Sequence, residues 1–114
     1  MEYRIEQHFE GRASVVRDIC ETILTAARKF GPVIEDPKKT SIHLNRKTAF
    51  AGIQTRRAFL ILTVKASADI DSPRIAKREQ ASANRWHHEI KLHSPQDVDT
   101  ELKGWLSAAY DLSE

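Results

Sequence analysis

From Ser14 to Phe30 apolar residues recur at spacings of three and four. Val15, Val16, Ile19, Cys20, Ile23, Ala26, Ala27 and Phe30 fall on one side, and Arg17, Asp18, Glu21, Thr22, Thr25 and Arg28 on the other. That period predicts an amphipathic helix. Ser14 is placed to cap its start, Arg28 and Lys29 suit the negative end of its dipole, and Gly31-Pro32 stops it, the glycine as a left-handed cap and the proline as a breaker. The helix is set at 13–30, behind an extended polar arm, 1–12, that Phe9 anchors to the core.

The period then changes from helical to alternating. Ile42 and Leu44 alternate with Ser41, His43 and Asn45; Asn45-Arg46-Lys47 reads as a turn; Thr48 to Thr55 follows, with Ala51-Gly52-Ile53 a place of close backbone packing; Arg56-Arg57 is a second turn. Ala58 to Ala66 is nearly all apolar, as expected of a central strand buried on both faces. The short spacers predict an antiparallel meander over 40–66. In Trp86 to His93 the residues Trp86, His88, Ile90 and Leu92 share one face of a further strand, 86–93. Ser94-Pro95-Gln96-Asp97 opens a last helix, 95–111, with Val98, Leu102, Trp105, Leu106 and Ala109 as its buried stripe and Tyr110 at the margin. Between the firm strands lies a weakly periodic connection, 67–85. Ser72 as a cap and Pro73 at a first helical position permit a short helix over 73–80, and a structureless loop of this length is the alternative. The fold class is therefore α+β: an antiparallel sheet of about four to five strands flanked by an N-terminal and a C-terminal amphipathic helix, in a single domain, 1–114.

Composition narrows the function classes. The 114 residues carry 18 basic and 16 acidic side chains, a net charge of +2, with 40% apolar residues. That is an ordinary globular mix and not the large or segregated excess of a dedicated nucleic-acid binder. The one cysteine, Cys20, cannot close an internal disulfide, and Met1-Glu2-Tyr3-Arg4 lacks an apolar signal core. The longest apolar run is too short to cross a bilayer. A cytoplasmic location without membrane partners is the expectation.

A set of residues spread over nearly the whole chain resembles a known family. Phe9-x-Gly11 precedes the first helix, which ends in Phe30-Gly31-Pro32-Val33; Lys39 comes before a strand; Phe50-Ala51-x-Ile53 leads to the apolar strand and Pro73-Arg74-Ile75 follows. His88-x-Ile90-x-Leu92 and Asp97-Val98-Asp99-x-Glu101-Leu102-x-x-Trp105-Leu106-x-x-Ala109-Tyr110 complete the pattern. It resembles a bacterial family of domains of unknown function often labelled "predicted transport protein", and is distantly similar to the YdhG-like α+β domains. The resemblance implies the fold and brings no activity with it.

Candidate chemistry is sparse. Metal ligands must converge, yet His87 and His93 lie roughly 20 Å apart along a strand and His88 points to the other face, so the five histidines predict no metal site. Cys20 sits on an apolar helix stripe and reads as a small, unreactive hydrophobe. Asp97, Asp99 and Glu101 read as solvated helix-start acids. No catalytic residue and no cofactor is predicted. The basic pairs Lys38-Lys39, Arg46-Lys47, Arg56-Arg57 and Lys77-Arg78 all fall at predicted turns or loops, and alternate turns of a meander share one end of the sheet. Two pairs side by side would suit phosphate, nucleic acid or an acidic partner; the favoured reading of the pairs is that turns are wet and charged and that lysine guards sheet edges against aggregation. The sharpest site expectation is a small-anion site from Lys39, Arg74 and His88. The favoured function is a non-enzymatic binding module for an anionic ligand or a protein partner, with self-association through Trp86 or Trp105 as one form of it. The alternatives are nucleic-acid binding through Lys38, Arg46, Lys47, Arg56 and Arg57, and, least favoured, an enzyme with a His/Arg/Lys site.

Overall fold

The computed structural model describes residues 2–114. A short 3-10 helix, Ile5–Phe9, leads into helix α1, Ser14–Arg28. Six strands follow: β1 (Ile34–Pro37), β2 (Ile42–Asn45), β3 (Ala49–Thr55), β4 (Leu60–Ala66), β5 (Ile75–Ser82) and β6 (Arg85–Leu92). A 3-10 turn, Pro95–Asp97, precedes helix α2, Thr100–Asp111. The strands form one antiparallel sheet in the order β1-β2-β3-β4-β6-β5.

The register explains which face the helices cover. Ile42 pairs with Ile53, Ile53 with Leu62 and Leu62 with Ile90, so one row of aliphatic side chains crosses four strands. Leu60 and Leu92 form the next row and Val64 and His88 another. Side chains two apart share a face, so these rows lie on the same side. Val16, Ile19, Ile23 and Ala27 of α1 and Leu102, Leu106 and Ala109 of α2 join them in one buried cluster. Both helices thus pack on this face. The opposite face carries His43, Gly52, Thr63, Lys65 and His87, with no helix over it among the described residues.

Several expectations need correction. The sheet has six strands, two of them edge strands that the pattern hid. Ile34–Pro37 is short, polar and closed by a proline, which an edge strand tolerates because one side of it needs no ladder bond. Residues 73–80 form no helix: β5 occupies 75–82, and all of it beyond Ile75 is exposed, so no apolar alternation marks it. Its pairing with β6 shifts register between Ile75 and Lys77 and again between Gln80 and Ser82, a kinked edge that resists pairing with another chain. The strand β4 is central, but only its Leu60, Leu62 and Val64 face the helices; Thr63 and Lys65 face outward. The arm 1–12, whose Met1 lies outside the described residues, is not extended throughout but contains the 3-10 turn.

The helix ends also differ. Ser14 is the first residue of α1 rather than its cap, which is Ala13. The second helix begins at Thr100 after an Asp99 cap whose carboxylate accepts from Leu102 N at 3.0 Å. Gly31 does take a positive φ, +151°, which L side chains rarely adopt, but it lies two residues beyond Lys29, the residue that caps the helix. Tyr110 explains it. The phenol is buried, 3% exposed, donates to Pro32 O at 2.9 Å and packs edge-on against Phe50 at 5.2 Å. A β-carbon on Gly31 would stand 2.5 Å from its hydroxyl oxygen.

Candidate functional site

Arg74, at the entrance to β5, is a latch. Its Nη1 donates to Asp99 Oδ1 at 2.9 Å and Glu101 Oε1 at 3.1 Å, its Nη2 donates to Asp97 O at 2.7 Å, and its guanidinium lies 5.6 Å from the Trp105 ring centre. Burial opposes its charge, and Asp99 and Glu101 overcome that and hold it firmly protonated. The bond from Leu102 N, then the Arg74 guanidinium, holds the Asp99 carboxyl below the usual range. A guanidinium satisfied by two carboxylates and a carbonyl has little left for an external anion.

His88 is sealed. It is fully buried, with Trp86 stacked on it at 5.9 Å. Its Nε2 lies 3.1 Å from Ile70 N and 2.9 Å from Asp69 Oδ1, accepting from the first or donating to the second according to tautomer. Asp69 also accepts from Arg78 Nε at 3.0 Å, and His88 first, then Arg78, holds its carboxyl below the usual range. The group pins the loop before β5 onto the sheet, which is what a buried histidine with a backbone partner does.

Lys39 lies elsewhere. It sits in the β1–β2 turn, whereas Arg74 opens the far edge strand. From β2 to β5 there are four inter-strand steps, roughly 19 Å at the usual spacing. The structure does not bring Lys39, Arg74 and His88 together.

It does bring basic turns together. The β1–β2 turn, with Lys38 and Lys39, and the β3–β4 turn, with Arg56 and Arg57, lie at the same end of the sheet, two inter-strand steps or roughly 10 Å apart. The 3-10 turn ties them. His8, only 8% exposed, has Nε2 2.9 Å from Lys38 O, and its own carbonyl accepts from the Thr55 hydroxyl. Arg12 Nε donates to Thr55 Oγ1 at 3.2 Å, and Ala13 N donates to Arg57 O at 2.7 Å. Lys38 pairs with Asp36 at 2.9 Å, and holds that carboxyl low. Arg12, Lys39, Arg56 and Arg57 are exposed and have no carboxylate partner among the described residues. Arg46 and Lys47 are in the β2–β3 turn at the opposite end, where Arg46 stacks over Tyr110 at 4.4 Å and donates to its carbonyl. Arg78 is committed to Asp69 and Ile70 O. Of the four basic pairs, two therefore form one patch.

A family model described as "Domain of unknown function (DUF5655)" matches residues 5–113. The chain belongs to this family. No curated protein and no solved structure shows a significant match to it. The match takes in both sheet edges and both helices, so the latch and the basic end both lie inside the family's domain. Among the described residues no helix is long and apolar enough to cross a membrane.

Sequence reasoning missed His8, Arg12 and Thr55 as parts of the basic end. The only signal was a histidine and an arginine flanking Phe9 in a segment without periodicity. What makes them part of the site is a tertiary contact between that segment and two distant turns.

Proposed function

We propose that this domain is a non-enzymatic, cytoplasmic binding module that takes an anionic partner at the end of its sheet bearing Arg12, Lys38, Lys39, Arg56 and Arg57. The observation that carries the reading is the contrast among its cations. Arg74 and Arg78 are consumed by internal carboxylates, whereas four cations of this end are exposed and unmatched, on turns braced from beneath by His8 and Thr55. Braced turns lose little freedom on binding, which favours affinity at a given charge. A label of transport protein on similar sequences, and the likeness to YdhG-like domains, fit an accessory domain of this kind.

The test is fluorescence anisotropy with a labelled oligoglutamate peptide and a labelled single-stranded oligonucleotide over a salt series. The reading expects binding of at least one probe that weakens as salt rises. Four to five contacts on the single strand would give a log–log slope of about −3. Preference for the oligonucleotide would assign the patch to nucleic acid, and preference for the peptide to an acidic protein surface. Absence of binding to both at low salt would refute the proposal.

A further inference from the structure

Gly52 is unexplained by conformation or packing. It lies in the middle of β3, on the face without helices, and its φ is not positive. A β-carbon built on it would meet nothing closer than the Thr63 Cβ, at 4.0 Å. A β-carbon fits there without strain, and a β-branched residue would favour the strand. What the missing side chain leaves is a groove of about 240 Å³ along the open face.

The groove itself is lined by neutral polar groups and one lysine, while the carboxylates of this face, Glu79 and Glu89, stand beyond His87 and Thr63. His43 and Thr63 flank Gly52 on the neighbouring strands, Gln54 stands two residues along β3, and Lys65 and His87 face each other in register at the other end. Lys65 Nζ donates to Ser113 Oγ at 2.7 Å and to Thr48 Oγ1 at 3.2 Å. Both are neutral, no carboxylate pairs with it among the described residues, and one of its three N–H donors remains. Partial burial, then the Arg85 charge, lowers its proton affinity, and an anion placed beside it would offset both. The floor is flat β3 backbone beside the small side chain of Ala49, and Phe50 and Ala51 of the buried cluster border it.

We propose that the groove over Gly52 binds a small, flat organic anion, with the ring over the glycine and the carboxylate or phosphate on Lys65. The space is below the roughly 300–1,000 Å³ of drug-sized pockets, which limits the ligand to about one ring and its head group. The head-group position at Lys65 lies at the end of the sheet opposite Arg56 and Arg57, beside Thr48 of the β2–β3 turn, although Arg56 reaches the near wall of the groove through Gln54 at 3.4 Å.

Amide-resolved NMR titration of the full chain with benzoate, phenyl phosphate and uncharged benzamide tests it. At least one of the two anions should shift His43, Gly52, Thr63, Lys65 and His87 saturably, at least roughly tenfold more tightly than benzamide, a difference of about 1.4 kcal/mol. Comparison of benzoate with phenyl phosphate reports which head group Lys65 takes. Gly52→Val should keep the fold and lose this response. Lys65→Gln, which leaves the groove open, should bind the anions no better than benzamide. The proposal is overturned if neither anion shifts the groove, if benzamide binds equally well, or if Gly52→Val binds like the parent.

Discussion

Replacing Arg74 by methionine separates a structural arginine from a ligand-binding one. Methionine retains the apolar stem against Trp105 and removes the charge and every donor. Two kinds of interaction disappear with the guanidinium. The pairs with Asp99 and Glu101 join a side chain that is 26% exposed to carboxylates 50% and 54% exposed. Such pairs contribute about 0.2–1 kcal/mol each. The 2.7 Å bond to Asp97 O is partly buried and charge-assisted, worth about 1.5–3 kcal/mol. These terms share one guanidinium and do not simply add, so the expected loss is roughly 2–3 kcal/mol. Urea denaturation followed by tryptophan fluorescence reads it directly. With a slope of about 1–3 kcal/mol/M the midpoint should fall by roughly 1–2 M with the slope unchanged. Most of the loss should persist at high salt, because screening weakens the two ion pairs more than the carbonyl bond. A variant within about 0.5 kcal/mol of the parent would refute the latch, since that is the scatter of neutral surface changes.

Three further outcomes follow from the same structure. Gly31→Ala forces a β-carbon against the Tyr110 hydroxyl at a φ of +151°, and should cost about 1–3 kcal/mol or more in the same urea assay, whereas Gly52→Ala should be neutral or stabilising. The Cys20 thiol, pushed up to about 12 by burial and then by Glu21 and Glu35, should react with a disulfide reagent at about pH 8 only as fast as the chain unfolds; rapid labelling of the folded protein would contradict its placement. The Asp99 carboxyl titrates lower in the folded chain than its unfolded value of about 3.9, so its contribution is complete above that pH and is lost as pH falls through the folded value. Asp99→Asn keeps a capping oxygen but not the charge. It should therefore lower stability at neutral pH and flatten its decline in acid, and an acid profile identical to the parent's would count against the Asp99–Arg74 pair.

The parts of the fold that were legible in the sequence are those where burial imposes a period. The stripe of α1 from Val16 to Ala27 and the face Trp86, His88, Ile90, Leu92 of β6 stand in the structure as the spacing predicts. The edge strands were not legible. An edge strand owes its place to ladder bonds on one side, and the residues Ala76 to Ser82 bury nothing that would leave a pattern. Tyr110 reads as marginal on a helical wheel, yet it is buried because Phe30, Phe50 and Pro32 close over it, which no local signal records. The same limit applies to the site. That alternate turns share a sheet end follows from topology, and Lys38-Lys39 and Arg56-Arg57 do so. The pairing of Arg74 with Asp99 and Glu101 joins residues 25 and 27 positions apart, and spacing alone does not reveal it.

The central claim is that the extended anionic partner binds at the end of the sheet that carries Arg56 and Arg57. The most direct measurement compares two variants of equal charge change in the anisotropy assay: Arg56→Gln with Arg57→Gln, and Lys47→Gln with Lys103→Gln. All four side chains are exposed and lie outside the core. The account predicts that the first variant weakens binding by roughly tenfold or more and flattens the salt dependence by about two contacts, while the second changes little. Equal losses from both variants would show binding that follows net charge alone, and would contradict a site at the basic end.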